Sequence, residues 1–266
     1  MLKRLLVVGG AIAGSAVITA CAAAWTTWRR WGIDPDEATR SLPGDDLVPK
    51  AEAIDTRGIE IAAPPATVWP WLVQMGYGRA GWYSYDGLDM NHPSADRILP
   101  AFQALAVGDV LPTDPGGGFE VRVVDPGRAL VVYLDRALVQ AQREQPGGPA
   151  GDGLETASAN VRATGAYLDR AVSGEFAASW AFVLEPRDDG TRLVERFRVT
   201  MAPPTSASGR TGGVAGFARS LLGFGVFVMV RRQMLGIRDR AEGRPIRAWS
   251  ARRPHRGSVR GAGEPA

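Results

Sequence analysis

Glu195 is the residue of this chain best placed to do chemistry, because strict alternation through Thr191 to Met201 sets it on one strand face with Leu193, Phe197 and Val199. A carboxylate on an apolar face is costly unless it has a partner or a task. Desolvation there favours the protonated form, which suits a general acid or a hydrogen-bond partner for a ligand. The competing reading is a bulge or edge position that turns Glu195 to solvent beside Arg196 or Arg198.

A second group lies in the stretch from Gly76 to Pro100, where Arg79, Trp82, Tyr83, Tyr85 and Asp86 offer a cation, phenols and a carboxylate at the mouth of a cavity. Alternatively the aromatics plug that mouth and Arg79 pairs with Asp86, holding the loop shut without chemistry. His92, near Asp89, Asn91 and Asp96, reads as a capping or surface residue, and no metal is expected. There is no Gly-x-Ser-x-Gly elbow, Walker loop or dinucleotide fingerprint, and Cys21 is the only cysteine. Any catalysis would run on acid and base groups alone, with no cofactor. The sequence favours a binder over an enzyme and leaves the enzyme question open.

The elements that must position these residues are legible from periodicity. Arg57 to Ala62 alternates as a strand and stops at Ala63-Pro64-Pro65. A short helix begins near Thr67, with Pro70 in its first turn. Gly118 to Val124, Ala129 to Asp135, Glu175 to Leu184 and Thr191 to Met201 alternate as antiparallel strands separated by Asp125-Pro126-Gly127 and Asp188-Asp189-Gly190. The inward sets include Phe176, Trp180 and Phe182 on one strand and Leu193, Phe197 and Val199 on another. Gln140 to Gly153 and Pro203 to Gly213 read as loops. Val214 to Glu242 reads as a long helix with Phe217, Leu221, Phe224, Val228 and Leu235 in its apolar stripe. A second membrane span there is excluded by length, since only 11 uncharged residues separate Arg219 from Arg231.

Composition bounds the rest. The net charge is +3, and the densest basic group, Arg252, Arg253, Arg256 and Arg260, lies in a Gly/Pro-rich tail, so no nucleic-acid partner is expected. The 21 residues Leu5 to Trp25 carry no charge and would form a helix of roughly 31 Å, enough to span a bilayer. Lys3 and Arg4 precede them, and Trp25, Trp28, Arg29, Arg30 and Trp31 follow as interfacial residues would. The expected localisation is therefore membrane, by a single-pass amino-terminal anchor. Two alternatives are a lipoprotein through Ile18-Thr19-Ala20-Cys21 and a cleaved export signal. Gly10 and Gly14 give a small-xxx-small spacing through which two anchors could form a weak homodimer.

The order strand, short helix, antiparallel strands, long carboxy-terminal helix resembles the helix-grip SRPBCC superfamily, which includes START lipid-transfer domains and polyketide cyclases. Pro43-Gly44-Asp45, Val68-Trp69-Pro70-Trp71-Leu72, Gly78-Arg79-Ala80-Gly81-Trp82-Tyr83-Ser84-Tyr85-Asp86 and Met234-Leu235-Gly236-Ile237-Arg238 look like an actinobacterial, membrane-anchored branch of it. The resemblance implies an α+β fold, a curved antiparallel sheet wrapped around the last helix, with an apolar cavity for a lipid- or polyketide-like molecule. Residues 79, 82, 83, 85, 86, 180, 182, 195 and 197 would line it. The expected organisation is an anchor (1–31), a connector (32–52), the helix-grip domain (53–245) and a basic tail (246–266). The expected function is a membrane-tethered carrier or sensor of an apolar small molecule, the alternatives being a cyclase- or dehydratase-like enzyme and a protein-interaction domain.

Overall fold

The computed structural model describes residues 28–89, 93–114, 117–144, 176–201 and 214–246. Residues 1–27 of the expected anchor, with Cys21 and the Gly10 and Gly14 pair, His92 and the tail beyond Ile246 lie outside these residues. Among the described residues no helix is long and apolar enough to cross a membrane.

Six antiparallel strands form one curved sheet: β1 (Ala53–Ile61), β2 (Val110–Asp114), β3 (Gly117–Asp125), β4 (Ala129–Asp135), β5 (Phe176–Arg187) and β6 (Gly190–Met201). Their spatial order is β1-β6-β5-β4-β3-β2, so the chain closes by laying its last strand beside its first. Among the described residues five α-helices accompany them: α1 (Pro35–Thr39), α2 (Pro65–Val73), α3 (Asp86–Asp89), α4 (Arg136–Glu144) and α5 (Val214–Ala241). The sheet turns one face towards α2 and α5. On that face Ile59, Ile61, Leu130, Val132, Phe182, Leu184 and Leu193 pack with Val68, Leu72, Val230, Met234 and Ile237 into one core. Alternation produces this, since each strand sends every second side chain inward.

Strand β2, and helix α1 inside the expected connector, are absent from the sequence expectation, and three further elements differ from it. Helix α2 begins at Pro65 rather than Thr67, because proline at the first helical position forfeits no bond. Pro70 is therefore inside the helix, not in its first turn. Part of the expected Gln140–Gly153 loop is the end of α4, which Asp135 caps by accepting from the Leu138 amide at 2.8 Å. Buried Gln142 fastens α4 to β3, its amide oxygen accepting from Gly118 N and its nitrogen donating to Gly118 O, both at 3.0 Å. The apolar stripe of α5 is also displaced. Val230, Met234, Ile237 and Ala241 are buried, whereas Phe224 is 48% exposed. The run from Leu221 to Val230 is apolar on every side, so periodicity alone could not select its buried face.

Helix α5 sits where it does because Gly236 admits the loop before α3. A Cβ at 236 would lie 2.2 Å from the Tyr83 carbonyl oxygen and 2.9 Å from Tyr83 Cβ. Neither neighbour can swing aside. Gly236→Ala is expected to cost about 3 kcal/mol, the upper end for overpacking. Urea unfolding of the variant checks this, and an unchanged midpoint would mean that α5 is not seated on Tyr83.

The segment before β1 is strapped to the sheet's outer face by arginines of β6. Asp34 and Glu37 form a capping box for α1. Arg192 then grips Glu37 at 2.7 Å. Arg196 donates to the carbonyls of Glu37, Ala38 and Arg40 and pairs with Asp45 at 2.7 Å. Arg198 donates twice to Val48 O. These arginines occupy alternate β6 positions, so each points away from the face that carries Glu195.

Candidate functional site

Glu195 faces the core and is completely buried. Register places Arg57 of β1 directly opposite it on one side and Phe182 of β5 on the other. Arg57, also wholly buried, donates to Glu195 Oε2 at 3.0 Å and to Asp55 Oδ2 at 2.9 Å. The Trp180 indole N–H donates to Glu195 Oε1 at 2.6 Å. Asp55 extends the network towards Arg29, 3.6 Å away. A chain of alternating charges thus crosses the inner face of β1 and β6, in surroundings otherwise apolar. Arg57 Nε has no hydrogen-bond acceptor among the described residues.

Burial holds the Glu195 carboxyl above the usual carboxylate value, against the pull of Arg57 and of the Trp180 N–H. The sign of the linkage follows. The folded chain keeps this proton to higher pH than the unfolded chain, so stability from this group falls as pH rises from the ordinary carboxylate value, then levels once the folded carboxyl ionises. Glu37 runs the other way, because its hydrogen bond from Arg192 lowers its pKa and the stability it gives is lost as pH falls. Glu195→Gln should therefore remove a component of unfolding free energy that declines as pH rises above about 4.5. Denaturant titrations of both proteins at several pH values check it, and parallel curves would contradict it.

Around the carboxylate lies an aromatic cluster. Trp180 stacks on Trp82 with ring centres 5.6 Å apart at 19°, and meets Phe182 at 4.9 Å, Phe119 at 6.0 Å and Phe197 at 6.2 Å. Trp82, Phe119 and Phe182 are buried. Trp180, Phe197, Val199 and Met201 are only partly buried although they belong to the inner face. The sheet is therefore packed shut at the Glu195 level and at Phe176 and Ala178 of β5, which are buried, and its inner face is left partly uncovered at Trp180 and along the Met201 end of β6. The walls expected for an empty cavity are in contact with one another at Trp180.

The residues of the loop before α3 do not gather at one point. Arg79 donates to the carbonyls of Val73, Met75 and Phe102 and lies over the Phe102 ring, tying the end of α2 to the loop. It is not paired with Asp86, which accepts instead from Ser94 Oγ at 2.5 Å. Tyr83 is buried with a left-handed φ of 58°. Its hydroxyl donates to Trp71 O at 3.1 Å and accepts from Gln74 Nε2 at 2.9 Å, while Arg240 covers its ring. Burial drives the phenol far above its ordinary pKa, so it stays a neutral donor. Tyr85 is half-buried. Only Trp82 of this group joins Trp180, Phe182, Phe197 and Glu195.

Sequence reasoning passed over Arg57 and Asp55. The signal was available, because Ile59 and Ile61 define the inward parity of β1, and the same parity carries 57 and 55. Another buried polar group on the core side is Gln233 of α5. Its amide nitrogen reaches only Met75 Sδ at 3.5 Å, and its oxygen has no donor among the described residues. Clefts of about 450 and 350 Å³ lie on the surface of the described residues. One lies between Gly32, Glu37, Glu60, Arg187 and Arg192, the other beside Pro64, Pro65 and the β5–β6 turn, and neither touches the Glu195 cluster. Among the described residues no group of three or more His, Cys, Asp or Glu side chains is arranged to hold a metal ion.

No family model and no curated protein matches the chain. Solved structures are similar to it. The di-domain ARO/CYC StfQ from the steffimycin biosynthetic pathway is 14% identical, with 78% of this chain and 56% of that one covered and a TM-score of 0.38. The Aha1 dimer from Colwellia psychrerythraea is 17% identical, with 71% and 96% covered and a TM-score of 0.30. A polyketide cyclase-like protein from Corynebacterium glutamicum is 15% identical, with 71% and 87% covered and a TM-score of 0.23. With TM-scores below 0.5, the architecture assigned to this chain rests on its own strand order and packing.

Proposed function

We propose that this chain binds an apolar small molecule along the open end of its concave sheet, as a membrane-tethered carrier or sensor. The observation that carries the reading is the partial exposure of Trp180, Phe197, Val199 and Met201 on the face that elsewhere forms the core. Apolar side chains left uncovered on a concave inner wall favour an apolar guest. Each square ångström that the guest covers is worth roughly 25 cal/mol. Beneath the wall, the Trp180 N–H and the Arg57–Glu195 pair supply a fixed polar floor.

The cyclase- or dehydratase-like reading asks Glu195 to exchange protons with a substrate. Its geometry argues against that. Both carboxylate oxygens face donors only, Arg57 and the Trp180 indole, and the group has no exposed surface. A general acid needs a route to the reacting atom. Holding Trp180 is the role that fits these bonds.

Organic extraction of the full-length purified protein tests the binding reading. A defined apolar molecule recovered reproducibly supports it. A folded chain that yields none, and that ignores a panel of lipids and polyketides, overturns it in favour of a protein-interaction domain closed by packing.

A further inference from the structure

The half of α5 that leaves the sheet meets the first described residues of the chain, and both are apolar and basic. Gly223 leaves room for Trp28, whose ring comes 2.9 Å from the position of a Cβ there. Phe227 packs against Trp28 at 6.0 Å and Trp31 at 6.3 Å, and Phe224 against Phe227 at 5.9 Å. Arg29 lies over the Trp28 ring and Arg231 over Trp31. From this joint Phe224 and Val226 project with 48% and 44% of their surface exposed, while Arg30 and Arg231 are exposed beside them.

The charge distribution is one-sided. Residues 1–33 contain no Asp or Glu, and neither do residues 202–238, although the whole chain has 28 acids. In sequence, Trp28 follows the uncharged run Leu5–Trp25 by only three residues. Indole rings interleaved with arginines, next to exposed Phe and Val and a membrane-length apolar run, match the layering of a bilayer interface.

We propose that this face, formed by Trp28 to Trp31 and the Phe224–Arg231 part of α5, rests on an anionic bilayer surface. Phe224 and Val226 enter the headgroup boundary, and Arg30 and Arg231 meet lipid phosphates, while Arg29 stays with Asp55 and the Trp28 ring. The domain is then not a ball on a string. The joint seats α5 against the lipid, with Arg57, which lies over Phe227 at 5.8 Å, connecting it to the Glu195 network. This goes beyond the tether, because an anchor alone would leave Val226 in water, and it stands independently of ligand binding.

The test uses the full chain carrying Cys21→Ser, with a fluorophore on Val226→Cys or, as the control, on Val107→Cys. Val107 is 63% exposed and precedes β2, at the sheet edge opposite β1. Each protein is placed, one copy per disc, in nanodiscs of brominated phosphatidylcholine with or without phosphatidylserine. The expected result is loss of fluorescence at 226 and none at 107. The loss should be larger with phosphatidylserine and reduced by Arg231→Glu or by salt near 1 M, where the Debye length is only about 3 Å. Equal emission at both positions overturns the inference. So does a label at 226 that lipid does not quench but that transfers energy to a second labelled copy in larger vesicles, since that face would then join two chains. Extraction of the bound molecule is unaffected in either case, so the two readings fail separately.

Discussion

Arg57→Met is expected to destabilise the fold by about 3–5 kcal/mol, because it leaves Asp55 and Glu195 buried without their shared counter-ion. For a domain of this size that is a fall in Tm on the order of 10 °C. Glu195→Gln should cost less, since Arg57 keeps Asp55 and the amide oxygen can still accept from Trp180. The double variant Arg57→Met with Glu195→Met should be less damaged than the sum of its single changes by about 1–3 kcal/mol. A buried ion pair replaced on both sides by apolar groups is often tolerated, whereas one broken on a single side is not. Additive losses in a denaturant-based double-mutant cycle would show that the two residues are not coupled.

Trp180→Ala is expected to have a loss of similar size, about 3–5 kcal/mol, since it removes a large ring from contact with Trp82, Phe119, Phe182 and Phe197. Trp180→Phe separates packing from polarity. It keeps an aromatic ring but withdraws the N–H from Glu195 Oε1, whose remaining contact is Arg57 Nη1 at 3.4 Å. Leaving a buried carboxylate oxygen short of a donor costs about 1–3 kcal/mol. The expected order of stability is wild type, Phe, Ala, with Phe clearly below wild type. If Phe were as stable as Trp, the indole N–H would contribute nothing and the link from floor to wall would fail.

The sheet was legible because its strands alternate, and Leu193, Glu195 and Phe197 take the face that parity assigns them. The same rule applied to β1 yields Asp55 and Arg57, so the partner that Glu195 required was written in the sequence one strand away. Other contacts were invisible for physical reasons. Arg79, Arg196 and Arg198 spend much of their bonding capacity on backbone carbonyls, which have no sequence signature. The strapping of residues 32–50 to β6 was therefore missed, and the stretch read as a plain connector. Helix α5 was found by length and composition, but its buried stripe was not, because an all-apolar run carries no phase. Tyr83 was grouped with potential ligand contacts by its type, whereas its hydroxyl is consumed by Trp71 and Gln74.

The residues brought together describe a wall and a floor rather than a reactive centre. Trp82, Trp180 and Phe182 close the interior, Phe197, Val199 and Met201 continue it into the open, and Arg57, Asp55 and Glu195 hold Trp180 from below. A guest lying on the exposed part would cover apolar surface without disturbing the ion pair. That sets a sharp requirement on Phe197, which is partly exposed and lies across the strand pair from Trp180.

Native mass spectrometry of the full-length chain, beside the same chain with Phe197→Glu, tests this most directly. The account predicts one defined apolar species on the wild-type protein and its loss from a variant that remains folded. Equal occupancy of the two proteins, or an empty wild-type chain, would contradict it.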